Sequence, residues 1–241
     1  GANLRRGAEA VSCRQGLSDR RVRATLFSFH LWGEEPLLSE CLRLVGVAIG
    51  ELVEVGLTIE PGEIVCLSGA SGSGKSRLLR AVADLEPHAG EVWLGDQAQS
   101  RTPGHVWRRR VMLVPAESHW WAETVGQHFA DEPANAELQA LGFTRDTLSW
   151  QVARLSTGEK QRLGLLRAIG REPRALLLDE PTANLDGETG ERVEAWLTAC
   201  IREHRWPTLW VAHDRRQIAR VASRHWRIAS GRLEEGEVAW A

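Results

Sequence analysis

The sequence has no tyrosine, a single methionine in 241 residues and no long hydrophobic run. No apolar stretch approaches the length of about eighteen residues that a membrane-spanning helix needs, so no transmembrane helix is predicted. The first thirty residues contain scattered arginines and no apolar segment, so no secretory signal peptide is expected. The formal net charge of −2 gives no overall electrostatic reason to expect a nucleic-acid partner.

Cysteines are few and far apart. The four of them, Cys13, Cys41, Cys66 and Cys200, lack the CxxC spacing that marks zinc and redox sites. Reduced thiols in a cytoplasmic protein are therefore favoured over disulfides or a metal site.

Residues 1–41 form an N-terminal extension whose role the sequence does not define. Its arginines follow neither a helical nor a strand period, which favours a flexible basic tail or sequence outside the natural domain. A strand at residues 24–31 is the alternative.

From residue 42 to residue 241 the pattern is that of one α/β domain. Apolar runs predict strands at 42–50, 53–59, 64–69, 90–95, 109–115, 175–180 and 208–213, and a closing hairpin at 225–237. Helices are predicted at 73–84, 159–170 and 188–203. Buried strands that alternate with helices are typical of a mainly parallel sheet. The first two strands predict an N-terminal antiparallel β region, and residues 117–155 predict a small helical insert.

Residues 69–76, GASGSGKS, fit the pattern G-x-x-x-x-G-K-[ST] between a predicted strand and a predicted helix. The glycines let successive backbone N–H groups face phosphate oxygens, and the helix N-terminus adds partial positive charge. Lys75 is expected to reach the β- and γ-phosphates and act in catalysis, and Ser76 to bind Mg²⁺. The predicted fold is thus an α/β P-loop NTPase with ATP and Mg²⁺ as cofactors. The nucleotide-binding residues of this segment are Gly69, Ala70, Ser71, Gly72, Ser73, Gly74, Lys75, Ser76 and Arg77.

An acidic pair ends the apolar run in ALLLDEPTANLD, residues 175–186. Because α/β sheets bind ligands at the carboxyl ends of their strands, these carboxylates are expected at the phosphate site. Asp179 suits the Mg²⁺ shell, and Glu180 suits a general base that polarises the attacking water. A helix cap or a solvated strand end is the alternative for Asp179.

The segment LSTGEKQR, residues 155–162, places a polar helix start between these two motifs. GASGSGKS, LSTGEKQR, LLLDEPTANLD and WVAHD, in this order, resemble the nucleotide-binding subunit of an ATP-binding cassette (ABC) transporter. The resemblance covers roughly residues 42–237.

The resemblance implies that half of each ATP site comes from a second cassette. The signature segment, residues 155–159, would cap the γ-phosphate held by the other protomer of a head-to-tail homodimer or paired cassette, through the helix dipole and its backbone N–H groups. The residues assigned to this role are Ser156, Thr157, Gly158 and Glu159.

Two further residues take roles from the resemblance. His213 would hydrogen-bond the γ-phosphate and help to position the attacking water, as a further catalytic residue. Asp186 would link the two sites across the dimer. Read alone, Asp186 is a helix N-cap, and it is compatible with both roles.

Three departures from the family pattern stand out. Ala116 occupies the position of a glutamine that usually contacts Mg²⁺, and we predict that Glu117 takes over this metal role; a solvated loop acid is the alternative. No aromatic residue precedes the phosphate loop where adenine usually stacks, so the base would rest on aliphatic contacts such as Val47, or on a tryptophan from elsewhere. Thr157 and Glu159 replace the usual glycine and glutamine.

The resemblance implies an ATPase that powers translocation by a separate transmembrane permease, from a peripheral position on the cytoplasmic face of the membrane. The insert is rich in aromatic residues and would either dock the permease or form a small local core; they are Trp120, Trp121, Phe129, Phe143 and Trp150. A soluble cassette in translation or DNA repair, or a degenerate cassette with little turnover, is the alternative function. Import and export both stay open, although the short insert is compatible with small exporters.

Overall fold

A computed structural model describes residues 40–236, all within the compact unit Glu35–Ala241. The expectations for residues 1–39, including the strand at 24–31 and Cys13, lie outside the described residues. The strands are β1 Leu42–Ile49, β2 Leu52–Ile59, β3 Ile64–Gly69, β4 Ala89–Leu94, β5 Gln97–Ala98, β6 Val111–Val114, β7 Ala175–Asp179, β8 Thr208–Val211, β9 Arg224–Ala229 and β10 Arg232–Gly236. The helices are α1 Lys75–Val82, α2 Gly104–Arg110, α3 Asn135–Ala140, α4 Thr157–Ile169, α5 Gly187–His204 and α6 Arg215–Val221.

The central sheet has six strands in the order β10-β9-β3-β8-β7-β6, parallel except for the β10–β9 pair. Its inner strands are buried on both faces, which explains why they appear in the sequence as continuous apolar runs. α1 packs on one face of the sheet, and α4 and α5 pack on the other. Because these strands are parallel, the segments that follow β3, β7 and β8 meet at one edge.

A second, antiparallel sheet has the order β2-β1-β4-β5 and confirms the predicted N-terminal β region. Its first strand contains a register shift between Leu44 and Val47, with Gly46 at a φ of 59°. A glycine suits this position, because L side chains are strained at such positive φ values. β1 and β2 are joined by a tight turn at Gly50 and Glu51.

Two of the differences from the predicted boundaries have an identifiable cause. Arg109 and Arg110 end α2 instead of opening a strand, because Trp107 is fully buried and donates its indole N–H to the Val82 carbonyl at 2.8 Å, which anchors a helix there. The helix predicted from residue 73 begins at Lys75, since Gly74 has a left-handed φ of 99°. The predicted helical insert, residues 117–155, contains one short helix, α3, and three 3-10 turns.

Over residues 40–236, no helix combines the length and the apolar character that crossing a bilayer requires.

Candidate functional site

The phosphate loop wraps around the ammonium group of Lys75. Its Nζ donates to the carbonyl oxygens of Gly69 and Ala70, both at 2.9 Å. Burial lowers the pKa of Lys75, while the carboxylates of Glu180 and Asp179 act in the opposite direction. The amino group is therefore held inside the loop, close to two acids, where a phosphate oxygen can replace its carbonyl partners.

Close packing explains the first glycine of the loop. A Cβ added to Gly69 would stand 2.9 Å from both the Ile228 carbonyl oxygen and Ser73 Oγ, closer than real Cβ atoms come. Within residues 40–236, the buried Ser73 hydroxyl has no hydrogen-bond partner. A buried hydroxyl without a partner is costly, and a phosphate oxygen in the loop would satisfy it.

Asp179 ends β7 and accepts a hydrogen bond from the Ser76 hydroxyl. Burial raises the pKa of Asp179, and the bond from Ser76 opposes that rise. A hydroxyl oxygen beside a carboxylate oxygen is the kind of donor set that Mg²⁺ accepts when phosphate and water oxygens complete its shell. The described residues contain no cluster of three or more His, Cys, Asp or Glu side chains that could hold a metal alone. The site thus fits a magnesium ion that arrives with its nucleotide.

Glu180 and His213 lie side by side. The His213 Nε2–H donates to Glu180 Oε1 at 2.7 Å, although the two residues are 33 positions apart. Both side chains are partly open to solvent, so water can reach them. Glu180 has a φ of 49°, a strained value for a residue with a side chain. Its backbone N–H donates to the Val211 carbonyl, which helps to hold that conformation.

Gln161 is a site residue that the sequence analysis missed. Its side chain is 4% exposed and joins α4 to the segment after β7. Its Nε2 donates to the Glu180 carbonyl at 3.0 Å, and its Oε1 accepts from the Asn184 N–H at 3.3 Å. The available signal was a polar residue on the apolar face of a predicted helix. Gln161 therefore holds α4 and the segment after β7 together as one unit.

The signature segment begins α4 with a capping box. The Ser156 backbone N–H and hydroxyl both donate to Glu159 Oε2 at 2.8 Å, and the Glu159 N–H donates to Ser156 Oγ at 3.3 Å. A glutamate suits position 159 because its carboxylate accepts both bonds, although a glutamine could accept them as well. Ser156 and Thr157 are exposed. The start of a 13-residue helix therefore faces solvent.

The capping box makes stability depend on pH. Chiefly through the bond from the Ser156 backbone N–H, the pKa of Glu159 lies below its ordinary value. A carboxyl whose pKa is lowered by folding adds stability above its ordinary titration range, and this is lost as the pH falls through the folded pKa. We expect Glu159→Gln to flatten the fall of the unfolding free energy in acid. At pH 7 it should change stability by less than about 1 kcal/mol, because an amide oxygen still caps the helix.

Denaturant unfolding across the acid range measures this. Glu123→Gln, at an exposed loop acid, is the matched control and should keep the wild-type slope. If the unfolding free energy of Glu159→Gln falls with pH in parallel with that of the wild type, the carboxylate of Glu159 is not the group responsible.

Asp186 caps α5, as the sequence analysis allowed. Its Oδ1 accepts from the Thr189 N–H at 3.0 Å, which lowers the pKa of the carboxyl. Beside it, a Cβ on Gly158 would lie 3.1 Å from Leu185 Cδ2 and 3.2 Å from the Asn184 carbonyl oxygen. The segment before α5 therefore packs on the signature segment, and the role of Asp186 across a dimer stays a prediction.

One expected base contact is wrong, and one metal role stays a prediction. Val47 is fully buried in the core between the sheets, because its side chain faces inward after the register shift in β1, so it cannot support adenine. Ala116 and Glu117 follow β6. Glu117 is exposed and forms no hydrogen bond or ion pair with the described residues, so its carboxylate is available to a metal or to water.

The aromatic residues of the insert divide between the two roles that were left open. Phe143 is buried, and Trp120, Phe129 and Trp150 pack half-buried against the same core. Trp121 is 68% exposed. The Arg167 guanidinium lies over both neighbouring indoles, with Cζ 4.7 Å from the ring centroid of Trp120 and 5.0 Å from that of Trp121. Most of the aromatic set is therefore local core, and one tryptophan is a surface feature.

Comparison with known proteins gives matches over most of the chain. A family described as "ABC transporter" matches residues 52–183. The aliphatic sulfonates import ATP-binding protein SsuB 1 of Pseudomonas fluorescens is 37% identical over 202 residues, which cover 81% of this chain and 75% of that protein. The sulfate/thiosulfate import ATP-binding protein CysA of Bordetella parapertussis is 35% identical over 207 residues, or 78% of this chain and 58% of that protein.

A solved structure has the same fold. A bacterial Atm1-family ABC exporter with ATP bound superposes with a TM-score of 0.73 at 24% identity, covering 84% of this chain and 40% of that one. At this identity the likeness concerns the fold alone.

Proposed function

The chain belongs to the ABC transporter family, whose ATP-binding subunits are ATPases coupled to transport by separate membrane subunits, and we propose how its own residues perform this work. Lys75 and the backbone N–H groups of the phosphate loop bind the β- and γ-phosphates. Ser76 and Asp179 hold Mg²⁺, which neutralises charge on the phosphates when it is bound. The observation that carries the proposal is the Glu180–His213 bond of 2.7 Å at the sheet edge that also bears the phosphate loop.

In this proposal, hydrolysis proceeds by attack of water on the γ-phosphorus. Glu180 accepts a proton from that water as the new P–O bond forms, and the bond to the ADP leaving oxygen breaks. His213 donates its Nε2–H to Glu180 before ATP binds, and to a γ-phosphate oxygen afterwards. The products are ADP and inorganic phosphate. Mg²⁺-dependent phosphate release by the purified chain tests this, and no release above the buffer rate would contradict it.

We propose that the site is completed by a second cassette. The exposed start of α4 presents backbone N–H groups and the helix dipole to solvent, an arrangement suited to an anion. In the family pattern the signature segment of one cassette caps the nucleotide that the phosphate loop of the other cassette holds, so two copies in head-to-tail arrangement would close two ATP sites. A homodimer satisfies this, and so does a pair with a related cassette.

The permease-binding surface is proposed at a groove of about 620 Å³ between α2, the segment after β6, and α4. Trp121 lines it together with the arginines of both helices and of the turn after α4, namely Arg108, Arg109, Arg167 and Arg171. Such a surface favours a cytoplasmic segment of the permease that carries acidic and apolar residues. The chain would then be peripheral on the cytoplasmic face of the membrane. The import proteins among its relatives support inward transport.

Glu117 is proposed as a metal-sensing residue next to this groove. If its carboxylate approaches Mg²⁺ when ATP is bound, Glu117→Ala should raise the Mg²⁺ concentration for half-maximal hydrolysis several-fold, because one oxygen donor is lost. A Mg²⁺ titration of ATPase activity measures the change. Glu123→Ala, at an exposed acid of the same insert, is the control. An unchanged titration for Glu117→Ala would leave Glu117 as a solvated loop acid.

A further inference from the structure

The order of the strands defines the two ends of the phosphate site. Asp179 ends β7 and Glu180 follows it; β7 lies on one side of β3, and β9 and β10 lie on the other. The β1–β2 turn belongs to that other side, since the Val53 N–H donates to the Gly231 carbonyl at 3.0 Å. A triphosphate with its γ end at the acids therefore directs its nucleoside towards the β1–β2 turn.

This turn packs directly on the start of α1. A Cβ added to Gly74 would stand 2.8 Å from Leu52 Cδ1, and one added to Gly50 would overlap the Arg77 guanidinium, with Cζ at 3.1 Å. The turn and the end of the phosphate loop thus form one surface, and the Arg77 guanidinium lies over it. No phenylalanine or tryptophan occurs in residues 42–59.

The guanidinium of Arg77 is oriented by an acid. Arg77 Nε donates to Glu86 Oε1 at 2.8 Å, and Nη2 lies 2.7 Å from the same oxygen. The Arg77 side chain is nevertheless 52% exposed, so about half of it is open to solvent. A planar cation that is fixed in place and open on one side can accept a flat ligand without further ordering.

The position of Arg77 is unfavourable for the helix itself. It lies in the first turn of α1, where the helix dipole disfavours a positive side chain, and no acid occupies that turn. Helix stability therefore does not explain an arginine here. A ligand that carries negative charge at the phosphate loop and a π system beyond it does explain one.

We propose that the Arg77 guanidinium, held by Glu86 against the β1–β2 turn, is the platform on which the base of the bound nucleotide stacks. Arginine planes stack on nucleobases, and a cation over a π system is attractive. Because stacking uses the face of the base, this platform would accept adenine and guanine alike. The inference rests on the proposed function, since it requires a nucleotide in the phosphate loop.

Calorimetric titration of the full chain with ADP and with inorganic pyrophosphate tests the platform. ADP carries a base, pyrophosphate carries none, and neither is hydrolysed at this site. Arg77→Lys keeps the charge and the ion pair with Glu86 but loses the plane. We expect it to weaken ADP binding about 5- to 30-fold and to change pyrophosphate binding by less than about twofold.

Two further variants complete the test: one disturbs the orientation of Arg77, and the other is a control. Glu86→Gln should weaken ADP binding in the same selective way but less, because the guanidinium remains and loses its orientation. Arg80→Ala is the matched control: Arg80 lies one turn further along α1 and pairs with the same Glu86 at 3.5 Å, and ADP binding should not change. Equal weakening of both ligands by Arg77→Lys would make Arg77 a phosphate contact and overturn the platform, as would unchanged ADP binding. Absence of ADP binding to the wild-type chain would instead overturn the proposed function.

Discussion

Glu180→Gln should lower the rate of ATP hydrolysis on the order of 10²- to 10⁴-fold while ATP binding is kept. The amide preserves the shape of the side chain and can still accept the His213 hydrogen bond, which is 2.7 Å long in the parent protein. It cannot take a proton from the attacking water. Phosphate release and equilibrium ATP binding, measured on the same preparation, separate the two effects.

The control for this variant is Glu188→Gln, an exposed acid in the first turn of α5 only eight positions away. It should hydrolyse ATP at the wild-type rate. If Glu180→Gln and the wild type share one slow background rate, the chain is a degenerate cassette that uses ATP as a switch, and the catalytic assignment fails.

The second large effect is expected from two inactive variants that restore each other. Lys75→Ala removes the cation of the phosphate loop, and Ser156→Arg places a bulky charge where the partner's γ-phosphate should approach. Each alone should abolish hydrolysis. In a mixed head-to-tail dimer, both defects fall in one site and the other site is intact, so mixing should recover up to about a quarter of wild-type activity.

Phosphate release from equal mixtures, compared with each variant alone, measures this recovery. A mixture of Lys75→Ala with Glu180→Gln is the matched control, because both defects lie in the half of the site that one chain supplies, and a mixed dimer then has no intact site. Recovery in that control, or none in the test mixture, would contradict a site shared between two chains. Ser156→Arg also removes a helix cap, so the unfolding free energy of the variant is measured alongside.

The central sheet was predictable because burial on both faces has a clear pattern in the sequence. β3, β7 and β8 are short apolar runs. β3 leads into glycines, β7 into acids and β8 into a histidine, and each strand was predicted close to its observed bounds. α2 was not predictable in this way. Its helix depends on Trp107 fitting beneath the Val82 carbonyl, a contact between residues 25 positions apart that no local pattern reveals.

The residues of the candidate site divide in the same way, into those that a local sequence pattern marks and those that only tertiary contacts bring into place. Glycine spacing and strand-end acids are local patterns, so the phosphate loop, Asp179 and Glu180 could be named from sequence. Gln161 is visible in the sequence only as a polar residue on the apolar face of a predicted helix. Its role could not be named, because its two partners, Glu180 and Asn184, are brought to it only by the packing of α4 against the segment after β7. Val47 was misassigned since the register shift in β1, which decides the side that each residue faces, is a tertiary feature.

The central claim is that the signature segment of one chain completes the ATP site of another. The measurement that tests it most directly is the molar mass in solution of Glu180→Gln, with and without Mg²⁺ and ATP, since blocked hydrolysis should trap the closed pair. The account predicts that the mass doubles with ATP and that adding Ser156→Arg abolishes the doubling. A mass that stays monomeric at saturating ATP, or a doubling that survives Ser156→Arg, would contradict it.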